Sequence, residues 1–340
     1  MQVSATTEPA EADDARENHA LTFRIAFAAA VGLTLGELLG WDFPFLPAML
    51  AVQLLSARGP ISVKQGLGFV AVIVAACAFA ILVAQIFVDT PVVLLLTVSL
   101  VTFIAFLSLA RGRAIAVAGT FLITTSVVPL LASESMSVAY GFIHSLIAGS
   151  ALAVLLAFAA HAFFPTRVQA EAVSQPAHED RNSVALALAN TSVLMSLVIY
   201  FMLTVSPVSI VIVLTVISIL RQPSELGSGA ALDLAVGNLV GGLGATVAYL
   251  LITLFPSPAF LLLVVLLFGL LFGDRIAQGR DFAAIYTVGL MTFLLVLGLG
   301  LSPLPADSGT LFIARVFDVM VACAYAIGIA GLLRATFRAS

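Results

Sequence analysis

The sequence predicts an all-α, polytopic membrane protein with about twelve transmembrane helices in two parallel six-helix repeats and both termini in the cytoplasm. Of its 340 residues, 61% are hydrophobic and 9% are charged, and the mean hydropathy is +1.17. Soluble domains carry about a quarter charged residues. The helix number, the orientation and the repeat rest on long apolar runs, a one-sided distribution of Lys and Arg, and an internal similarity.

Twelve apolar runs are long enough to cross, or nearly cross, a hydrocarbon core of about 30 Å. They lie at residues 20–40, 43–57, 66–88, 91–110, 114–133, 137–164, 184–204, 207–220, 229–255, 258–273, 282–301 and 310–335. The strands of a membrane barrel would alternate apolar and polar residues, and these continuous runs do not alternate. The runs therefore predict helices.

The segments outside these runs are short. Five acidic residues crowd the first 18 positions: Glu8, Glu11, Asp13, Asp14 and Glu17. We expect residues 1–18 to form a disordered cytoplasmic tail, and the first apolar run to be retained as a spanning helix. The predicted organisation is a first six-helix repeat at 19–164, a cytoplasmic linker at 165–183 and a second repeat at 184–340.

The basic residues predict the orientation, because Lys and Arg concentrate in cytoplasmic connections. In the predicted topology, thirteen of the fourteen fall on one side: Arg16, Arg24, Arg58, Lys64, Arg111, Arg113, Arg167, Arg181, Arg221, Arg275, Arg280, Arg334 and Arg338. Arg315 is the exception. Both termini are therefore expected in the cytoplasm.

An internal similarity relates the two halves. The segment FPFLPAMLAVQLLSARGP (43–60) aligns with SPVSIVIVLTVISILRQP (206–223), which pairs Arg58 with Arg221. Further on, DTPVVLLL (89–96) aligns with PSPAFLLL (256–263) at an offset of 167. Because each half has an even number of helices, the halves should enter the membrane the same way round, as parallel repeats.

The second helix of each half is short and is entered through proline, at Pro44 and Pro47 or at Pro207. Short, proline-interrupted segments at matching repeat positions indicate a transporter's central site, although partial helices packed inside the bundle would look the same. Arg58 and Arg221 follow these helices. They are either positive-inside anchors at helix ends or a cytoplasmic entrance that gathers anions.

The last apolar run contains Arg315 and, one turn deeper, Asp318. They are either an ion pair that fixes this helix against its neighbours or an anion site with a proton-accepting carboxylate, since intramembrane ionisable groups are usually functional. His144 aligns with Arg315 in the sixth run. It is either a proton carrier or a packing residue.

The ninth run carries Gly237 and Gly241 on one face, a spacing that favours close helix packing. On this run Asp233 lies near the cytoplasmic end, where a headgroup position or a helix N-terminus suits a carboxylate. Asn238 is deeper and is a candidate for a substrate path or for an interhelical hydrogen bond. Weaker polar candidates are Thr124, Thr125, Ser126, Asn190, Thr191, Ser192 and Tyr286.

The sequence lacks the common enzyme signatures. It has no Walker A segment, HExxH, GxSxG or paired His/Asp cluster. Cys77 and Cys323 lie in apolar runs without a CxxC or a histidine neighbour, and we expect them to be packing residues. The sequence therefore predicts a non-enzyme, and we expect no cofactor, metal site or nucleic-acid partner.

Two segments carry a resemblance to a known family. FPFLPAMLAVQLLSARGP resembles the PYWALLTALVVLQP-type segment of the fusaric-acid-resistance-like and aromatic acid exporter proteins of bacterial inner membranes. ARVFDVMVACAYAIGIAGLL (314–333) resembles their late R-x-x-D-T-x-x-G-x-x-x-A helix. Arg315 and Asp318 match that pattern, whereas Val319 and Ala322 stand where it has Thr and Gly. The chain is similar to a compact branch, because only the 165–183 linker stands where many members have a cytoplasmic domain.

The resemblance implies proton-driven efflux of aromatic carboxylates or similar amphiphiles across a bacterial inner membrane. The implied partners are membrane lipid, an anionic small molecule and a periplasmic adaptor of the membrane-fusion type, and a homo-oligomer is compatible with this function. The alternative is a non-transporting subunit that anchors an adaptor in an envelope complex. Because the predicted periplasmic connections of this chain are very short, such an adaptor would have to contact the ends of the helices.

Overall fold

A computed structural model describes residues 8–56, 59–112, 115–165, 183–203, 210–220, 228–279 and 283–301, together with Phe317, Val321 and Tyr325. Within these residues the chain forms eleven α-helices and no strand. The helices are α1 Glu8–Leu38, α2 Leu46–Leu55, α3 Val63–Phe87, α4 Pro91–Ala110, α5 Ile115–Glu134, α6 Met136–Phe163, α7 Ser183–Leu203, α8 Ile210–Leu220, α9 Ser228–Leu254, α10 Pro258–Ala277 and α11 Ala283–Leu301. The twelfth run, 310–335, lies largely outside the described residues.

Eight of the described helices are long and apolar enough to cross a membrane. They contain the spans Arg16–Leu38, Val63–Phe87, Pro91–Ala110, Val117–Glu134, Met136–Phe163, Ser183–Leu203, Val236–Leu254 and Pro258–Ala277. The described residues are thus helical, as predicted, and their long apolar helices support a multi-pass membrane protein.

Helix α1 begins at Glu8, inside the acidic segment for which composition predicts disorder. The described residues that precede the apolar run are rich in Ala and Glu, which favour helix. Acidic residues near a helix N-terminus also interact favourably with the positive end of the helix dipole. The polar segment therefore continues the spanning helix instead of forming a separate tail from residue 8 onward.

Helix α2 is short and packed inside the bundle. Its residues Leu46, Pro47, Ala48, Ala51, Val52 and Leu55 are buried. It contacts α1, α6 and α11. A Cβ built on Gly298 of α11 would lie 2.5 Å from the Phe45 Cβ, so a larger residue at position 298 would displace the entrance to α2. The sequence does not distinguish this internal helix from a spanning one, because both are continuously apolar.

Helices α4 and α10 have the same local design. Each is 20 residues long and has proline at its first position, where the missing N–H costs no helical hydrogen bond. A glycine with positive φ follows each helix: Gly112 has φ of 64° and Gly279 has φ of 61°. Glycine adopts this left-handed conformation without a Cβ penalty.

The bundle is organised around contacts between helices from the two halves. Helix α1 packs extensively along α10, and α4 packs along α7. Within the halves, α3 packs on α5 and α9 packs on α11. The spans of α3, α4, α9 and α10 are only 28–39% buried, whereas those of α1 and α5 are 67% buried. The poorly buried helices form much of the outer surface, which suits contact with lipid.

The predicted glycine face of α9 is confirmed as a packing face. A Cβ built on Gly237 would lie 2.6 Å from the Ile285 carbonyl oxygen, and one on Gly241 would collide with the Gly289 carbonyl. Hence α9 and α11 approach each other at backbone distance, as small residues allow between membrane helices.

Candidate functional site

An open pocket lies beside α2, between that helix and α3, α5 and α6. Its cavity volume is about 60 Å³, and its mouth is open to the surroundings. Its apolar lining comes from Leu50, Phe69, Ile73, Ile123 and Leu146. The short helix that the sequence marks as a possible central site therefore forms one wall of a pocket.

Three polar side chains also line the pocket: Gln53, Thr120 and Thr124. The Thr124 hydroxyl is buried and donates to the Thr120 carbonyl oxygen at 3.0 Å, as hydroxyls in apolar helices commonly do. The Gln53 carboxamide is exposed and has no hydrogen-bond partner among the described residues. Gln53 is therefore the lining group most available to a ligand.

The pocket lies close to the helix ends that carry basic residues. Gln53 is two positions before the end of α2, and Phe69 is six positions after the start of α3. Thr120 is five positions after the start of α5. At a rise of about 1.5 Å per residue, these groups lie within about 10 Å of their helix ends. The predicted topology assigns those ends to the cytoplasmic side.

His144 lies at the opposite end of the bundle and is exposed. Its imidazole contacts the Trp41 ring edge to face, with 6.2 Å between ring centroids and an interplanar angle of 87°. The neighbouring Asp42 carboxylate lies so close to Gly141 that a side chain at 141 would collide with it. The loop from α1 to α2 thus packs on the first half of α6, and His144 is at the rim of this contact.

Asn238 and Thr292 form a buried hydrogen bond between α9 and α11. The Thr292 hydroxyl donates to the Asn238 Oδ1 at 2.6 Å. Only 3% of Asn238 is exposed, and the bond lies beside the close backbone contact of Gly237 with α11. The sequence predicts either a substrate path or an interhelical hydrogen bond for Asn238, and the observed contact is an interhelical hydrogen bond.

Arg24 makes a buried structural contact that the sequence interpretation missed, since there it counted only as a cytoplasmic basic residue. It is 3% exposed, and its Nε and Nη2 donate to the Phe164 carbonyl oxygen at 2.9 and 2.5 Å. Phe164 terminates α6 directly before the linker, and its ring stacks on Phe23 at 5.5 Å. Arg24 thereby holds the carboxyl end of α6 against α1. The sequence feature that indicated this contact is the position of Arg24 within an apolar run.

The remaining predicted site residues are not brought together in the described part of the structure. Arg315, Asp318, Arg58 and Arg221 lie outside the described residues, and for Asp233 only the backbone, within α9, is described. Tyr325 from the twelfth run is described. Its hydroxyl donates to the Val193 carbonyl oxygen of α7 at 2.9 Å and lies 2.6 Å from the Ser196 hydroxyl.

The described residues contain no group of three His, Cys, Asp or Glu side chains arranged to hold a metal ion. Cys77 is buried and unbridged in α3. Cys323 lies outside the described residues.

The first part of the chain is similar to a known protein family. A family described as "Protein of unknown function (DUF2955)" matches residues 21–160, which cover α1 from Leu21 through most of α6. No curated protein and no solved structure matches the chain. The similarity supports a membrane protein family for the first six helices, and the resemblance to the fusaric-acid-resistance-like proteins stays a prediction.

Proposed function

We propose that this chain is an inner-membrane efflux transporter for aromatic carboxylates or similar amphiphiles, driven by the proton gradient. The observation that carries the proposal is the short helix α2, which packs inside a membrane bundle and contacts α11 of the second half. Transporters place substrate sites where such interrupted helices meet between repeats. The resemblance of the α2 and twelfth-run segments to aromatic acid exporters supplies the substrate class.

We further propose twelve helices in two parallel repeats. Three landmarks support this architecture: the start of α4 and α10 at Pro91 and Pro258, their ends at Ala110 and Ala277, and the positive-φ residues Gly112 and Gly279. Each pair is separated by 167 residues, the offset between the aligned segments 89–96 and 256–263. The short helices α2 and α8 have 10 and 11 residues at matching places.

The helix contacts also support the repeat. A two-fold relation would exchange α1 with α7 and α4 with α10, so that the α1–α10 contact corresponds to the α4–α7 contact. It would likewise relate α3–α5 to α9–α11, and α5–α8 to α2–α11. All of these pairs are in contact. The proposed transport path runs between the halves, where α2, α5, α8 and α11 meet.

In the proposed mechanism the halves alternate between inward-open and outward-open arrangements. Arg315 binds the anionic group of the substrate, and Asp318 exchanges a proton. Substrate binding to Arg315 would weaken its pairing with Asp318 and so favour protonation of that carboxyl. Arg58 and Arg221 gather anions at the cytoplasmic entrance, and both termini lie on that side.

The test is substrate flux with an Asp318→Asn variant in proteoliposomes that carry a pH gradient. We expect loss of proton-driven transport of aromatic acids, because the amide cannot exchange the proton, while the protein still purifies as a folded membrane protein. Asp89→Asn is the matched control, since Asp89 is exposed at the end of α3, and it should transport normally. Normal transport by Asp318→Asn would refute the coupling role. Stable co-purification of an adaptor by a wild-type protein without flux would favour the anchoring subunit instead.

A further inference from the structure

We infer that the pocket beside α2 binds its ligand in an uncharged form, through a small group with one hydrogen-bonding substituent. The inference rests on the proposed function and deepens it, because it specifies which form of the substrate occupies the cytoplasmic half of the bundle. The pocket is defined by the lining of α2, α3, α5 and α6 described above.

The chemistry of the lining supports this inference. Five of its side chains are apolar, and its polar groups are the Gln53 carboxamide and the Thr120 and Thr124 hydroxyls. None of the described lining residues is charged. The described lining offers a carboxylate no cationic partner that would offset its lost hydration, which is unfavourable in a membrane interior. A carboxamide, a phenol or a protonated carboxyl would carry no such penalty.

Gln53 provides the specific recognition. Its carboxamide has both a donor and an acceptor, and neither has a partner among the described residues. A neutral carboxyl or carboxamide group matches this pair of functions. Thr124, by contrast, already uses its hydroxyl hydrogen on α5. Phe69 and Ile73 face the same space and suit the apolar body of the ligand.

The surrounding charges fit a two-stage arrangement. Lys64 is exposed at the second position of α3, five residues before Phe69. That separation is about 8 Å along the helix. Basic residues at the helix ends attract anions from the cytoplasm, and the deeper pocket accepts the neutral form. Two kinds of ligand would present such a neutral group: a permanently neutral amphiphile and the protonated form of a weak acid.

The experiment compares benzamide with benzoate, which share a ring and differ in charge. Binding to the purified protein in lipid nanodiscs is measured by calorimetry, at a pH at which benzoate is fully ionised. We expect benzamide to bind at least about tenfold more tightly than benzoate, given the cost of an unpaired charge. Equal or tighter binding of ionised benzoate would overturn the inference, as would absence of benzamide binding, for instance because lipid tails fill the pocket.

Gln53→Leu tests the residue assignment. Loss of one hydrogen bond should weaken benzamide binding about fivefold. Gln85→Leu is the matched control, because Gln85 is an exposed glutamine of α3 outside the pocket and bonds to the Tyr140 hydroxyl at 2.6 Å. An unchanged affinity in Gln53→Leu, or equal losses in both variants, would refute the role of Gln53.

The pH dependence distinguishes the two sources. The described lining contains no titratable side chain, so benzamide binding should stay constant with pH. Benzoate binding should rise as the pH falls towards its own pKa, because the neutral fraction then increases. If low pH does not improve benzoate binding, the pocket takes permanently neutral amphiphiles and the protonated acid is excluded as its ligand.

These results are independent of the transport test. Benzamide binding and its loss in Gln53→Leu need no proton gradient, so the pocket assignment holds or fails even if Asp318→Asn transports normally. Conversely, intact flux with unchanged benzamide affinity in Gln53→Leu would refute the pocket assignment and leave efflux standing.

Discussion

At the scale of single residues, the structure distinguishes charged side chains that stabilise helix packing from polar side chains that remain available to a ligand. Arg24 is buried and bonds through two nitrogens to the Phe164 carbonyl oxygen, whereas Gln53 has no described partner beside a pocket. The sequence treats Arg24 as one more cytoplasmic cation, because its acceptor is 140 positions away. Only the fold brings that carbonyl to α1.

Replacing Arg24 with Met should release the end of α6. The carbonyl of Phe164 would lose a charged donor, at a cost of about 1–3 kcal/mol in the free energy of unfolding. We expect a lower melting temperature and faster amide hydrogen exchange in the last turn of α6. Arg275→Met is the control, since Arg275 is exposed in the last turn of α10. Equal shifts in the two variants would argue against the Arg24–Phe164 bond as a stabilising contact.

At the scale of helices, small residues determine how closely the elements approach. Gly237 and Gly241 bring α9 against the backbone of α11, and Asn238 bonds to Thr292 across the same junction. This contact is predictable from the spacing of the glycines, but the identity of the partner helix is not. The α9 sequence contains no information on whether α11 or another helix supplies the facing carbonyls.

Gly237→Ala tests this junction. The new methyl group would lie 2.6 Å from the Ile285 carbonyl oxygen, so the helices must separate. Overpacking of this kind costs about 1–3 kcal/mol, and thermal unfolding in detergent should show a lower midpoint. Gly68→Ala is the matched control, because a Cβ at 68 meets nothing within 4 Å, and alanine favours the helix by about 0.5–1 kcal/mol. A variant at 237 as stable as the wild type would contradict the described packing.

The extent to which the sequence predicts the elements depends on the environment of each helix. Helices α3, α4 and α10, which face outward, match their apolar runs within a few residues, because a lipid-exposed helix must be apolar along its whole length. Helix α2 begins at Leu46 although its run starts at 43, since Phe43 and Phe45 are buried in the loop that leads into it. The pocket was not predictable, because its lining comes from four helices that only the fold places together.

At the scale of the whole molecule, the first and second halves are joined through helix contacts and not only through the linker. Helix α1 contacts α10 over much of its length, and α4 contacts α7. A built Cβ on Gly273 lies 3.6 Å from the Ile25 Cβ. This separation is within the range for a disulfide, so the contact can be measured directly.

Cysteines at Ile25 and Gly273 should therefore form a disulfide between the halves, in a background in which Cys77 and Cys323 are replaced by alanine. Cleavage at a protease site inserted in the linker would leave two fragments that remain linked without reductant and separate with it. Pairing Ile25→Cys with Leu271→Cys gives the control, since Leu271 is 58% exposed on α10 and should not cross-link. Efficient cross-linking of the control pair and not of the first would contradict the α1–α10 packing.

The α1–α10 contact also has a consequence for biogenesis. Helix α1 leaves the ribosome before α10, which begins at Pro258 after about 220 further residues. At 5–20 residues per second this separation means a delay of about 10–45 s. During that interval the face of α1 at Thr22 and Ala26, which later contacts Gly273 and Gly269, lacks α10. During this time the exposed face of α1 must not pack against other helices. We expect insertion factors that shield newly made membrane helices to prevent such contacts.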